Sequence, residues 1–356
     1  MKIVTVVGAR PQFIKAAAVS RVIRRHENVS EILLHTGQHF DDNMSKIFFE
    51  ELEIPSANYN LGIHSLHHGA MTARMLEAIE EILIKENPDW VLVYGDTDST
   101  LAGSLAAKKL HLRVAHVEAG MRSFNMKMPE EINRILTDRV SDLLFCSTTD
   151  AVKNLKREGF KHFDCRVVRS GDVMYDAALY YTQKAQRVSE IMKKIPFSEF
   201  VLCTLHREEN VSDSEKLKKI LVALKAIHHE IPVVLPAHPR TRKAIDYLGI
   251  QIPFHLIEPV GYLDMLMLTQ HCKLVITDSG GLQKEAFFFR KFCITLREET
   301  EWVELIDLKV NRTAGASEKK ILKAFHSFLK KTLKTKAFPY GKGNASEKIV
   351  KELIVT

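Results

Sequence analysis

Apolar residues in this chain fall into two patterns. Short, nearly unbroken runs alternate with longer stretches in which apolar positions recur every three or four residues. KIVTVV (2–7), EILLHT (31–36), WVLVYG (90–95), RVAHVE (113–118), LLFCST (143–148) and CRVVRSG (165–171) are of the first kind. They are rich in β-branched side chains and read as strands buried on both faces. PQFIKAAAVSRVIRR (11–25), STLAGSLAAKKL (99–110) and EKLKKILVALKAI (215–227) are of the second kind and read as amphipathic helices. After about residue 170 the rhythm restarts with FVLCTL (200–205), PVVLPA (232–237), FHLIEP (254–259), LVITDS (274–279) and FCITLR (292–297).

Strands alternating with helices predict parallel sheets built from βαβ units, covered by helices on both faces. Passing through that pattern twice predicts an α/β protein of two doubly wound, Rossmann-like domains, residues 1–170 and 171–344. SGDVMYDAALYYTQKA (170–185) forms the join. A chain of 356 residues is long enough for two such cores.

Composition narrows the class. Hydrophobic content of 46% with 27% charged residues is that of an ordinary globular protein, and no apolar run approaches the ~20 residues that span a bilayer. The first residues enter a strand without a leader-like apolar segment, and five widely spaced cysteines form no C-x-x-C. These features predict reduced core thiols and a cytoplasmic protein. The net charge of +7 comes from lysines dispersed over helix faces and a tail. It predicts no nucleic-acid partner, but a mild field that collects an anionic substrate.

In doubly wound sheets the ligand lies outside the carboxyl ends of the strands, so the residues just after each strand carry the chemistry. The first turn, GARPQFIK, has Gly8 but no glycine partners at phosphate-loop spacing; it offers Arg10 and Lys15 instead. Asp96 follows WVLVYG, either as a helix N-cap or as a chemical group. Glu118 follows RVAHV and leads into EAGMRSFNMKMPEEINR, with Arg122, Glu130, Glu131 and Arg134. Glu131 and Arg134 suit an i,i+3 helix pair. His206 and His238 follow strands of the second half, and Arg297 follows the last. His26, His64, His67, His68 and His111 read as surface or loop residues.

Ser279, Gly280 and Gly281 in TDSGGLQKEA form either a backbone N–H cradle for an anion at a helix N-terminus or a tight turn needing positive φ. Glu285 lies within reach of a ribose diol from the same helix. No H-E-x-x-H or cysteine-ligand spacing predicts a metal, and no G-x-S-x-G predicts a nucleophilic serine.

GARPQFIK, HTGQHFDDNM, YGDTDSTLAG, HVEAGMRSFNMKMPEEINR, LHREEN, PAHPRT and TDSGGLQKEA, in this order, resemble the non-hydrolysing UDP-N-acetylglucosamine 2-epimerases over nearly the whole chain. The resemblance implies a glycosyltransferase-B-like fold with a UDP-sugar in the interdomain cleft. It also implies a C-terminal helix (about 345–356) returning to the first domain, a homodimer, and no cofactor. The implied reaction is isomerisation: C2–H is abstracted and UDP eliminated to a 2-acetamidoglycal, then UDP re-adds as C2 is protonated on the other face. By resemblance Asp96, Glu118, Glu130 and His206 are the catalytic groups. Arg10, Lys15, Arg122, His238, Ser279, Gly280, Gly281, Glu285 and Arg297 bind substrate. Some members carry a second, regulatory UDP-GlcNAc site, and Gln38, His39, Arg74 and His238 lie in the segments that build it.

Two departures bear on substrate. The common UDP-GlcNAc enzymes carry G-T-R-P-E at the first turn and T-E-R-P-E near the last motif, where this chain has GARPQ and TEWVE. These changes resemble the subgroup acting on UDP-2,3-diacetamido-2,3-dideoxy-glucuronate, a precursor of surface polysaccharide. Gln12 in place of glutamate removes a negative charge, which suits an anionic uronate if the side chain faces the ligand. The rival readings are UDP-GlcNAc epimerisation, a hydrolysing epimerase, a glycosyltransferase on the same fold, and a nucleotide-sugar sensor without catalysis.

Overall fold

Continuous apolar runs become strands here because both faces of each sheet are covered by helices, which shields nearly all the apolar side chains of the central strands from water. The computed structural model describes residues 1–38, 52–54 and 56–356. The described chain forms two units, Met1–Leu179 with Phe338–Thr356, and Tyr180–Ala337.

Among the described residues, the sheet of the first unit runs β3 (Tyr59–Asn60), β2 (Ser30–His35), β1 (Lys2–Val7), β4 (Trp90–Tyr94), β5 (Arg113–Val117), β6 (Leu143–Cys146) and β7 (Arg166–Arg169), all parallel. One face sets Val4, Val6, Val91, Val93 and Val114 against Met75, Ile79 and Leu83 of helix His68–Glu86. Ala102, Ala106 and Ala107 of helix Asp98–Lys109 join the same cluster.

In the second unit the described order is β10 (His255–Ile257), β9 (Val233–Pro236), β8 (Val201–Thr204), β11 (Leu274–Thr277), β12 (Phe292–Thr295) and β13 (Asn311–Thr313), again parallel. Its core gathers Leu217, Ile220, Leu224 and Ile227 of helix Ser214–Glu230 with Ile321, Phe325 and Phe328 of helix Glu318–Leu329. β3 and β13 were not legible in the apolar pattern. Each is short and half-covered at a sheet edge, so neither needs a continuous apolar run.

The first unit extends past the boundary read near residue 170. Asp176 accepts the backbone N–H groups of Ala345 and Ser346 at 3.1 and 2.7 Å, tying helix Val173–Val188 to the returning C-terminal segment. Helix Ala345–Val355 packs on helix Arg10–Ile23. Among the described residues no helix is long and apolar enough to cross a membrane.

Both sheets reverse strand order at one place, between β1 and β4 and between β8 and β11. Such switch points open a crevice at the carboxyl ends of the strands. Gly8 to Arg10 follow β1 and Gly95–Asp96 follow β4; His206 follows β8 by one residue, and Asp278 to Gly281 follow β11.

Candidate active site

In the first unit, Gly8 is glycine because of a close approach. A Cβ there would lie 2.1 Å from Thr36 Oγ1 and 2.2 Å from Ser99 Oγ, two hydroxyls bonded to each other at 2.8 Å. The turn amides are not offered to a phosphate. Gln12 Oε1 accepts the N–H groups of Gly8 and Ala9 at 2.8 and 2.9 Å. Its Nε2 donates to the Tyr94 carbonyl and Thr100 Oγ1, both at 2.9 Å. Gln12 is thus committed inside the fold, and the condition that it face the ligand is not met. Arg10 opens helix Arg10–Ile23, whose first turn holds no acid. A cation there opposes the helix dipole and gains from an incoming anion.

Lys15, expected to support a field, has a specific partner. It forms an ion pair with the Glu118 carboxylate, and both side chains are about nine-tenths buried. Glu118 has φ 77°, a left-handed backbone rare for a residue with a side chain, and such strain concentrates at functional positions.

Asp96 is not the helix cap. Thr97 caps helix Asp98–Lys109, its Oγ1 accepting Thr100 N–H at 3.3 Å. Asp96 instead accepts Arg134 Nη2 at 2.5 Å, while its carbonyl accepts Asn133 Nδ2 at 3.0 Å. About a third of the Asp96 side chain reaches solvent. Loss of hydration nevertheless dominates and holds its carboxyl above the usual aspartate range. The cations Arg134 and Lys15 pull it back, while Glu118 and Glu130 push it further up. Five charged groups from β4, β5 and two helices therefore share one electrostatic neighbourhood.

The adjacent acids on helix Pro129–Val140 divide their roles. Glu130 is half-buried and acts on Asp96. Glu131 is buried; it accepts Ser123 N–H, Ser123 Oγ and Phe124 N–H at 2.9, 3.0 and 2.8 Å, and pairs with Arg134 Nη1 at 3.0 Å. It pins the loop that follows Glu118. Arg134 was legible as Glu131's partner, but its second contact, to Asp96, needed the tertiary structure.

Arg122, expected to bind substrate, is corrected. Its guanidinium is buried between Asp138 at 2.7 Å and Glu158 at 2.7 and 2.8 Å, and these carboxylates hold its pKa above the usual arginine range against the opposing effect of burial. Of the residues named for a regulatory site, Gln38 Oε1 accepts Ser99 N–H and Oγ at 3.2 and 2.7 Å. Arg74 is exposed on helix His68–Glu86, and His39 lies outside the described residues.

In the second unit, His206 Nδ1 lies 3.2 Å from Asp278 Oδ1. Asp278 is fully buried and also accepts the backbone N–H groups of His206 and Arg207 at 3.0 and 2.9 Å. Burial depresses the His206 pKa below its usual value; Asp278 raises it, and Arg207, Arg240 and His238 lower it further. The imidazole is therefore a neutral group near neutral pH, oriented by a carboxylate. Asp278 escaped the sequence reading, although it stands first after β11. His238 caps helix Pro239–Tyr247 by accepting Arg240 N–H at 3.3 Å.

Ser279 precedes helix Gly280–Phe288, and both glycines lie within its first turn with no positive φ, so the tight-turn reading of the pair falls. A Cβ on Gly281 would meet nothing within 4 Å. The first N–H groups of a helix have no partner within it and favour an anion. Trp302 of the variant TEWVE segment donates Nε1–H to the Gly280 carbonyl at 2.9 Å, and Lys284 Nζ sits 4.1 Å from its ring centroid. Lys284 is buried and Trp302 braces the glycine turn; neither role was legible in the sequence. Glu285 is buried in the same helix, and Arg297 is buried against Glu301 at 3.0 Å.

Four of the five cysteines are buried. Burial pushes the Cys272 and Cys293 thiols up to about 12, which keeps them protonated and unreactive.

Known proteins are similar to this chain in sequence and in fold. The family model described as UDP-N-acetylglucosamine 2-epimerase matches residues 21–354. A UDP-2,3-diacetamido-2,3-dideoxy-D-glucuronate 2-epimerase of Pseudomonas aeruginosa is 53% identical over 354 residues, covering 99% of each chain. The crystal structure of Methanocaldococcus jannaschii UDP-GlcNAc 2-epimerase, in complex with UDP-GlcNAc and UDP, superposes with a TM-score of 0.92 at 40% identity over 100% of both chains. The UDP-GlcNAc 2-epimerase of Neisseria meningitidis bound to UDP-GlcNAc does so at 0.90 and 32%, also over 100% of both.

Proposed function

The chain belongs to the UDP-N-acetylglucosamine 2-epimerase family of isomerases, and on that premise we propose that it inverts C2 of UDP-2,3-diacetamido-2,3-dideoxy-glucuronate without net hydrolysis. The observation that carries this reading is the gathering of Asp96, Glu118 and Glu130 with Lys15 and Arg134 at the carboxyl ends of β4 and β5. Inversion needs one group to remove the C2 proton and another to deliver a proton to the opposite face. Asp96, with its raised carboxyl, suits a group that exchanges protons; Glu118, paired with Lys15, suits one held ionised.

The second unit carries groups suited to the nucleotide. UDP leaving C1 develops negative charge, and the N-terminus of helix Gly280–Phe288 offers it backbone N–H groups. In the same unit Glu285 offers a carboxylate for the ribose diol and His206 an oriented neutral imidazole, while in the first unit Arg10 offers a cation. The uronate as substrate follows the 53% relative and the GARPQ and TEWVE segments. We take the enzyme to work as a cytoplasmic homodimer on a precursor of surface polysaccharide such as O-antigen; light scattering tests the assembly.

The test is proton NMR in D₂O with the diacetamido uronate and UDP-GlcNAc incubated separately. Intact UDP-sugar with inverted C2 and deuterium at C2 is expected for the uronate. Accumulating free UDP overturns the non-hydrolysing reading, and turnover of UDP-GlcNAc alone overturns the substrate.

A further inference from the structure

Four charged or titratable side chains of the first unit lie together beside the carboxylates and take no part in the function above. His116 on β5 is fully buried. Its Nδ1 lies 2.7 Å from Asp138 Oδ1 and its Nε2 2.7 Å from the Gly95 carbonyl oxygen. Asp138, equally buried on helix Pro129–Val140, uses its other oxygen to accept Gly120 N–H at 3.1 Å and Arg122 Nη1 at 2.7 Å. Arg122 closes the set with two parallel bonds to Glu158.

The protons can be counted. A carbonyl oxygen only accepts, and Asp138, which already accepts a backbone N–H and a guanidinium, is ionised. Both ring nitrogens of His116 thus face acceptors at full hydrogen-bond distance. A neutral imidazole has one N–H, so its other nitrogen would aim a lone pair at an oxygen. With both nitrogens protonated, two cations balance two anions, whereas an unbalanced buried charge is the costly alternative.

We propose that His116 is an imidazolium that positions Asp96 by holding the Gly95 carbonyl. The role given to Asp96 rests on the epimerase reading. Gly95, the residue ahead of Asp96, is held on both sides, because its N–H also donates to the Val117 carbonyl at 2.9 Å. Through Asp138 the same ring reaches Gly120, two residues past Glu118. Gly120 has φ +77°, and a Cβ there would meet the Ala151 carbonyl oxygen at 2.5 Å, so only glycine fits. One buried ring therefore links the strand ends that carry two of the proposed catalytic acids, and does so without touching substrate.

The first test needs no substrate. In the full chain labelled with ¹⁵N-histidine, the His116 resonances, assigned by their loss in His116→Asn, are expected to show two protonated ring nitrogens near neutral pH. A single protonated nitrogen overturns the proposal, whatever reaction the enzyme performs. The second test separates the two arms of the ring. His116→Asn keeps a donor near Asp138 and drops the Gly95 carbonyl. It is expected to lower kcat by roughly tenfold to a hundredfold with KM within about threefold, as for a misplaced catalytic group. His116→Gln reaches the Gly95 carbonyl and is expected to stay within about fivefold of the parent kcat. Equal loss in both variants, or a rise in KM alone, overturns the positioning role. If one variant fails to fold, the other supplies the assignment by the same loss of resonances, and the NMR result on the parent chain still decides the protonation of the ring. Absence of C2 deuterium exchange in the parent would sink the epimerase reading and leave the ring's protonation to be read separately.

Discussion

Adding a single methyl group at Gly281 tests the diphosphate cradle with little disturbance to the fold. Gly281 lies in the first turn of helix Gly280–Phe288 without positive φ, and a Cβ on it would meet no heavy atom within 4 Å. Alanine is favoured over glycine in such a conformation, so Gly281→Ala is expected to stabilise the second unit by about 0.4–1 kcal/mol. Binding should move the other way. A diphosphate oxygen on this helix N-terminus would meet the new methyl and lose a charge-assisted hydrogen bond. Such a bond is worth about 1.5–3 kcal/mol, or roughly a ten- to hundredfold rise in Kd. Calorimetric titration of UDP into the full chain gives the affinity, and urea unfolding followed by Trp302 fluorescence gives the stability. Gly280→Ala is the contrasting control, because its Cβ would meet Glu301 Oε1 at 2.8 Å and disturb the pair with Arg297. UDP affinity within about twofold of the parent, alongside the expected gain in stability, would show that the diphosphate does not lie here.

Three further outcomes follow from the same geometry. Lys15→Met strands the buried Glu118 carboxylate and is expected to destabilise the first unit by about 3–5 kcal/mol. The double variant with Glu118→Gln should recover much of that loss in urea unfolding followed at Trp90, and a double variant no more stable than Lys15→Met would refute the pairing. Because the Asp96 carboxyl is held above the usual aspartate value of 3.8, the folded chain binds its proton more tightly than the unfolded one. Its ionisation therefore lowers stability as pH rises through the raised value. Asp96→Asn should abolish C2 deuterium exchange yet leave the thermal midpoint at neutral pH unchanged or higher; a clear fall in that midpoint would contradict the account. Asp278 raises the His206 pKa against the groups that lower it, so Asp278→Asn should move the acidic limb of the kcat/KM profile to lower pH. A limb that stays in place would remove His206 from the profile.

Where the sequence was legible, the physics was local. A strand covered on both faces must be apolar along its length, and a covering helix must be apolar on one side. The alternation of KIVTVV, WVLVYG, FVLCTL and LVITDS with amphipathic stretches therefore determined two parallel, doubly wound sheets, and the carboxyl ends of their strands marked where chemistry would collect. Charged residues obey no such local rule, since a carboxylate's role depends on which cation the fold brings to it. Gln12 read as a lost negative charge with its direction left open, and its amide bridges the first turn to Tyr94 and Thr100. Arg122 read as a substrate cation until Asp138 and Glu158 enclosed it. The adjacent Glu130 and Glu131 look alike in sequence, yet one acts on Asp96 while the other holds a loop. Lys15 meets Glu118, 103 positions later in the chain, only because β1, β4 and β5 lie side by side in the sheet. Sequence pattern set the scaffold through side-chain burial; tertiary structure alone assigned the charges, because ion pairs form between residues that the chain itself keeps far apart.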